Sequence, residues 1–156
     1  MSDMIFILEE NYKKLHNSIQ LTMHSINKLS AFDPSINYSA DDLEPYDALV
    51  SRFERTVEIA INKFFRSVEL YEFKISSDTI RDRLNKMEKI KLITSTELWL
   101  EMRDIRNRIP HDYLPEKIKQ IYDLILEKFG DELKQLLENI NKYFKKINLC
   151  VCLKKS

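Results

Sequence analysis

The stretch PYDALVSRFERTVEIAINKFFRSVELYEF, residues 45–73, decides the fold. Leu49, Phe53, Val57, Ile61, Phe64, Val68 and Tyr71 recur along it every three or four residues, which is the spacing of a single apolar face on a helix of 3.6 residues per turn. Ser39 to Asp42 supplies a start similar to a capping box, and Pro45 then falls in the first turn, where its missing N–H is tolerated. A helix of roughly thirty residues spans about 45 Å at 1.5 Å per residue. That length suits the spine of a bundle.

The same periodicity extends outward from this spine. Ile5, Leu8, Tyr12, Leu15, Ile19, Ile26 and Leu29 form a stripe on a first helix, which the turn formers of Asp33-Pro34-Ser35-Ile36-Asn37 bring to an end. Downstream, Ser76-Ser77-Asp78 offers an N-cap and a negative charge at the positive end of a helix dipole, followed by the short stripe Ile80, Leu84 and Met87. Thr94-Ser95-Thr96-Glu97 reads as a capping box that opens a fourth helix carrying Leu98, Trp99, Met102 and Ile105 and ending near Pro110. A last helix begins with Pro115 and runs through Ile118, Ile121, Ile125, Phe129, Leu133, Leu136, Ile140, Phe144 and Ile147. Its stripe keeps phase across Gly130, so one helix tolerating a glycine at a cost of about 1 kcal/mol is expected there. The architecture expected is an all-α, antiparallel bundle of about five helices in a single domain over residues 1–156, with a core at about 3–147 and a tail at 148–156. Phe53, Ile61, Phe64, Leu136 and Ile140 are expected inside it, with Trp99 packing where the fourth helix crosses.

Composition agrees. The chain has 156 residues, 44% hydrophobic and 32% charged, enough for one core and a well solvated surface. Its one glycine, where average usage of about 7% gives around eleven, excludes most all-β folds and Gly-loop nucleotide folds. Lys plus Arg, 25, cancels Asp plus Glu, 25, so no global basic field attracts nucleic acid and any anion site must be local. The first residues, Met1-Ser2-Asp3-Met4-Ile5-Phe6, lack a basic flank and a signal-like apolar run, and no segment approaches 18 apolar residues. A soluble, cytoplasmic protein without membrane contact is expected. Cys150 and Cys152 lie too close for a loop-closing bridge and lack further ligands nearby, so they read as reduced thiols packing at a chain end.

Chemistry concentrates in Arg103-Asp104-Ile105-Arg106-Asn107-Arg108-Ile109-Pro110-His111-Asp112-Tyr113. His16 and His24, in contrast, have no acid or cysteine at metal-ligand spacing and read as partly exposed surface residues. On a straight helix Arg106 and His111 stand about 140° apart and do not meet. Pro110 changes this, because it cannot donate to the carbonyl of Arg106 and its ring crowds that carbonyl. The helix therefore kinks or ends, and His111 leaves helical phase. Two readings stay open at this level. In one, Arg and His merely favour a helix C-terminus, with Asp104 or Asp112 pairing the guanidiniums on the surface. In the other, an imidazole and a guanidinium are gathered for phosphate chemistry.

Arg106, Asn107, His111 and Tyr113 in this register resemble the signature of HEPN domains. The preceding Thr96-Glu97-Leu98-Trp99-Leu100-Glu101-Met102 is similar to the segment before that motif in toxin subunits paired with minimal nucleotidyltransferases, and in the related substrate-binding subunits of nucleotidyltransferases. Helix lengths and order agree with that family's bundle over about residues 3–147. The resemblance implies metal-independent RNA cleavage with no cofactor, in which Arg106 and His111 are catalytic, Asn107 orients one of them, and Arg103 and Arg108 contact RNA phosphates. It further implies a homodimer whose two motifs face one cleft, and a cognate nucleotidyltransferase antitoxin that inactivates the toxin by adding AMP to Tyr113. The chemistry is sound for these groups. An imidazole near neutral pKa can take a proton from a ribose 2′-hydroxyl, and a guanidinium can stabilise charge on a pentacoordinate phosphorus. The competing implication is a non-catalytic subunit that holds a substrate for a nucleotidyltransferase.

Overall fold

A computed structural model describes residues 2–108 and 115–155, and the apolar stripes form five helical rods among them. The first, α1, is Ser2–Lys28. The spine, α2, is an α-helical segment Ala40–Ile59, a π turn Ala60–Phe64 and a second α-helical segment Phe65–Phe73. Two shorter helices follow, α3 at Ile80–Lys89 and α4 at Thr96–Arg108. The last rod, α5, is Pro115–Leu124, a π turn Ile125–Phe129 and Gly130–Lys155. The described residues contain no strand, so the all-α bundle stands as expected.

The core lies where α1, α2 and α5 pack together, and Phe53, Ile61, Phe64, Leu136 and Ile140 are all buried there. Phe53 stacks on Phe129 with ring centroids 5.5 Å apart, which ties the spine to the π turn of α5. Between α1 and α2 runs a buried hydroxyl seam: Ser18 and Thr22 each share a hydrogen bond with Thr56, at 2.6 and 2.9 Å. A smaller aromatic cluster of Phe32, Tyr46 and Tyr122 closes the end of the bundle beneath the α1–α2 connection. Burial there pushes the Tyr122 phenol up to about 12.

The helix starts conform in part. Ser39 caps α2 by accepting from the Asp42 amide at 3.1 Å, but Pro45 is the sixth helical residue and not in the first turn. The cap of α3 is Thr79, which accepts from the Asp82 amide at 3.1 Å, instead of Ser76-Ser77-Asp78. Ser77 is engaged elsewhere, donating from both its amide and its hydroxyl to the fully buried carboxylate of Glu69. Arg83 and Lys86 complete that site at 3.0 and 2.9 Å. Burial alone raises the Glu69 carboxyl, yet the bonds from Ser77, Lys86 and Arg83 outweigh it and hold the group below the ordinary carboxylate range.

Two further expectations change. Glycine at 130 is required, not merely tolerated. The π turn carries the Ile125 carbonyl to within 2.9 Å of where a Cβ on residue 130 would stand, and Ile26 Cδ1 of α1 lies 3.1 Å away on the same side. Within the expected tail at 148–156, α5 continues to Lys155. Cys150 and Cys152, expected to pack at the chain end, are both exposed on that helix. Among the described residues no helix is long and apolar enough to cross a membrane.

Candidate functional site

Helix α4 is anchored tightly enough to serve as one wall of a site. Ser95 caps it by accepting from the Leu98 amide at 3.2 Å, and the Thr96 hydroxyl donates to Glu88 of α3 at 3.0 Å. Trp99 is fully buried against Phe65, and its indole N–H donates to Glu132 of α5 at 2.9 Å. Glu132 also accepts from the Thr94 amide and hydroxyl at 3.0 and 2.6 Å, so a buried carboxylate joins the α4 entry to α5. Glu97, expected to complete a capping box, instead pairs with Arg81 of α3. Met102 and Ile105 continue the buried side of α4. Arg103 and Asn107, one turn apart, therefore emerge on the flank that looks toward α2.

Between α2 and α4 lies a cleft of about 570 Å³. Its floor is apolar, formed by the buried Val57, Ile61 and Met102. The α2 wall is a polar row at helical spacing, Ser51, Glu54 with Arg55, Glu58 and Asn62, and the opposite wall presents Arg103 and Asn107. The π turn of α2 helps to shape this surface, since Ile61 and Asn62 both belong to it. The looser turn releases backbone carbonyls from the α pattern, and that of Ile61 is taken by Arg83 Nη1 at 3.0 Å. Glu69, through Arg83, thus braces the cleft from behind.

Arg103 and Asn107 are the anticipated site residues that the structure brings together, with Asn107 Nδ2 donating to Asp104 Oδ1 at 3.1 Å. Arg108 does not join them. Its Nε lies 3.5 Å from Asp104 Oδ2 in an exposed i, i+4 pair, the surface pairing that composition alone allowed. Arg106 is a residue of α4, but its side chain lies outside the described residues, as do His111, Tyr113, Pro110 and Asp112. His16 is half-buried and His24 exposed, as expected of surface residues. No group of three or more His, Cys, Asp or Glu side chains suited to a metal ion occurs among the described residues.

Arg55, Glu58 and Asn62 escaped the sequence reading. Read alone, they belong to the solvated face of an amphipathic helix, and only the crossing of α4 encloses them. Their i, i+3, i+7 register was the available signal, but every exposed helix face carries such registers.

No curated protein matches the chain. A family model described as nucleotidyltransferase substrate binding protein like matches residues 9–142, which takes in most of α1, all of α2 to α4, the cleft and most of α5. With an architecture and a match of that extent, the chain belongs to the nucleotidyltransferase substrate binding protein like family.

Proposed function

We propose that this chain is the ribonuclease of a cytoplasmic toxin–antitoxin pair, acting without metal as a homodimer and kept in check by a nucleotidyltransferase partner. The observation that carries the reading is the cleft of about 570 Å³ flanked by Arg55 and Asn62 of α2 and by Arg103 and Asn107 of α4, the helix that bears Arg106 and that His111 and Tyr113 follow in sequence. In the reaction, His111 takes the proton of a ribose 2′-hydroxyl and the 2′-oxygen attacks the adjacent phosphorus. The bond to the 5′-oxygen breaks, that oxygen takes up a proton, and a 2′,3′-cyclic phosphate and a 5′-hydroxyl remain. Arg106 stabilises the charge that builds on the non-bridging oxygens. Arg103 holds a neighbouring phosphate, and Asn107 orients one of the two catalytic residues.

Control fits the same arrangement. The partner transfers AMP from ATP to the Tyr113 hydroxyl, forming a phosphodiester and releasing pyrophosphate. The negative charge added to the motif competes with RNA phosphate for the Arg106 guanidinium fork and repels RNA. Purified chain should cleave RNA with and without chelator. His111→Ala and Arg106→Ala should abolish cleavage, and Arg106→Lys should rescue poorly, because an ammonium lacks the bidentate fork. Undiminished turnover in His111→Ala, or loss with chelator, refutes the mechanism. Coexpression with the nucleotidyltransferase should add nucleotidyl mass to the wild type and none to Tyr113→Phe.

A second reading, a non-catalytic subunit that holds a substrate for the nucleotidyltransferase, is favoured by the family's description and by the two carboxylates on the α2 wall. Expression of the chain alone separates the two. Growth arrest that depends on His111 supports the ribonuclease, and unimpaired growth supports the subunit.

A further inference from the structure

The lining of the cleft poses a charge problem. A surface built only to hold RNA phosphates excludes carboxylates, because phosphate oxygens only accept hydrogen bonds and carry negative charge. Here Glu54 and Glu58 stand on the same wall as Arg55, facing Arg103, so among the described lining residues two carboxylates meet two guanidiniums. The Glu58 side chain is exposed and makes no hydrogen bond or ion pair among the described residues, and neither do the side chains of Arg55, Asn62 and Arg103. Arg55 and Glu58 are three residues apart on one helix and still do not pair. Glu58, Arg55, Asn62 and Arg103 therefore offer a carboxylate, an amide and positive charge around an apolar floor, in a volume typical of small-molecule sites.

We propose that this cleft is a subsite for a guanine nucleotide, with Glu58 reading the base and Arg55 and Arg103 holding its phosphate. The inference rests on the nucleic-acid reading of the cleft given above. An ionised carboxylate has only acceptors to offer, and it binds best to two donors side by side. Among the four RNA bases the Watson–Crick edge of guanine alone presents that pair, N1–H and the N2 amino group. Adenine and cytosine offer one amino group each, and uracil a single N–H between two carbonyls. Asn62, one turn further along α2, has an amide N–H for the guanine O6. Val57, Ile61 and Met102 provide an apolar floor for the ring. The arginines on both walls then meet the phosphate that the carboxylates repel, which fixes the polarity of the nucleotide in the cleft.

The full chain is titrated calorimetrically with GMP, AMP, CMP and UMP, and with 2′-O-methyl heptamers that hold one guanosine or none and cannot be cleaved. GMP should bind at least about fivefold tighter than the other three, the low end of what one bidentate base contact supplies. In Glu58→Gln the neutral amide carries one acceptor and one donor, which suits adenine, so the GMP preference should fall to within about threefold and shift toward AMP. Arg55→Ala should weaken all four nucleotides alike. A guanosine heptamer binding tighter than GMP identifies RNA as the source of the base, and equal affinity identifies the free nucleotide. Equal binding of all four mononucleotides, no binding of any, or a preference for GMP that Glu58→Gln leaves intact overturns the inference. Absence of RNA cleavage with guanine-selective binding retained defeats the ribonuclease reading alone.

Discussion

Replacing Gly130 with alanine sets two well-known effects against each other, and the structure decides between them. A glycine in a helix interior costs about 1 kcal/mol relative to alanine, so helix propensity alone predicts a more stable protein. Against this, the new Cβ stands 2.9 Å from the Ile125 carbonyl oxygen and 3.1 Å from Ile26 Cδ1. The isoleucine methyl is the end of a flexible side chain and can turn aside. The carbonyl belongs to the π turn Ile125–Phe129, whose Phe129 is stacked on Phe53 in the core, so moving it disturbs packing on two rods. Forcing an extra methyl into a packed core costs about 1–3 kcal/mol. With the carbonyl taking the larger part, Gly130→Ala should lose about 1 kcal/mol net, a fall of about 2–4 °C in Tm for a chain of this size. Urea titration followed by tryptophan fluorescence measures it, with a lower midpoint and an unchanged slope. Ile26→Val in the same background should give little rescue, because it relieves only the side-chain contact. A gain of about 0.5–1 kcal/mol in Gly130→Ala, the ordinary propensity result, would refute the argument that the π turn demands glycine.

Glu69 gives a pH signature: its folded carboxyl titrates below its ordinary 4.5, so its contribution is complete above that value and is lost as pH falls through the lower folded value. Urea midpoints should fall on acidification below about pH 4.5, and Glu69→Gln should flatten that limb while losing about 3 kcal/mol at pH 7 through the stranded Arg83; parallel pH curves for the two proteins would discredit the assignment. Lys91 has a left-handed backbone, φ 63°, between α3 and α4, so Lys91→Gly should add about 0.5–1 kcal/mol, and a loss of stability by the same titration would show that its side chain matters more than its backbone.

What the sequence revealed and what it concealed divide along the range of the interactions involved. The stripes of α1, α2 and α5 were legible because burying a helix face requires a local periodicity, and the core residues drawn from it, Phe53 to Ile140, are buried. Ser77 misled because its rank as a capping residue is local, whereas its bonds run to Glu69, eight positions back and on another helix. A carboxylate buried between Arg83 and Lys86 needs every donor in reach, and that need outranks a cap which Thr79 can supply equally well. Gly130 misled for the same reason. Its phase in the stripe is continuous, but the constraint comes from a π turn and from α1. The site follows this pattern too. Arg103 and Asn107 were marked by their place in a motif, and the opposite wall, Arg55, Glu58 and Asn62, carries no motif and exists as a wall only because Trp99 and Glu132 fix the path of α4 across α2. One consequence is testable in the site itself. Any change that loosens the Trp99–Glu132 anchor should widen the cleft and weaken ligand binding there without touching a lining residue.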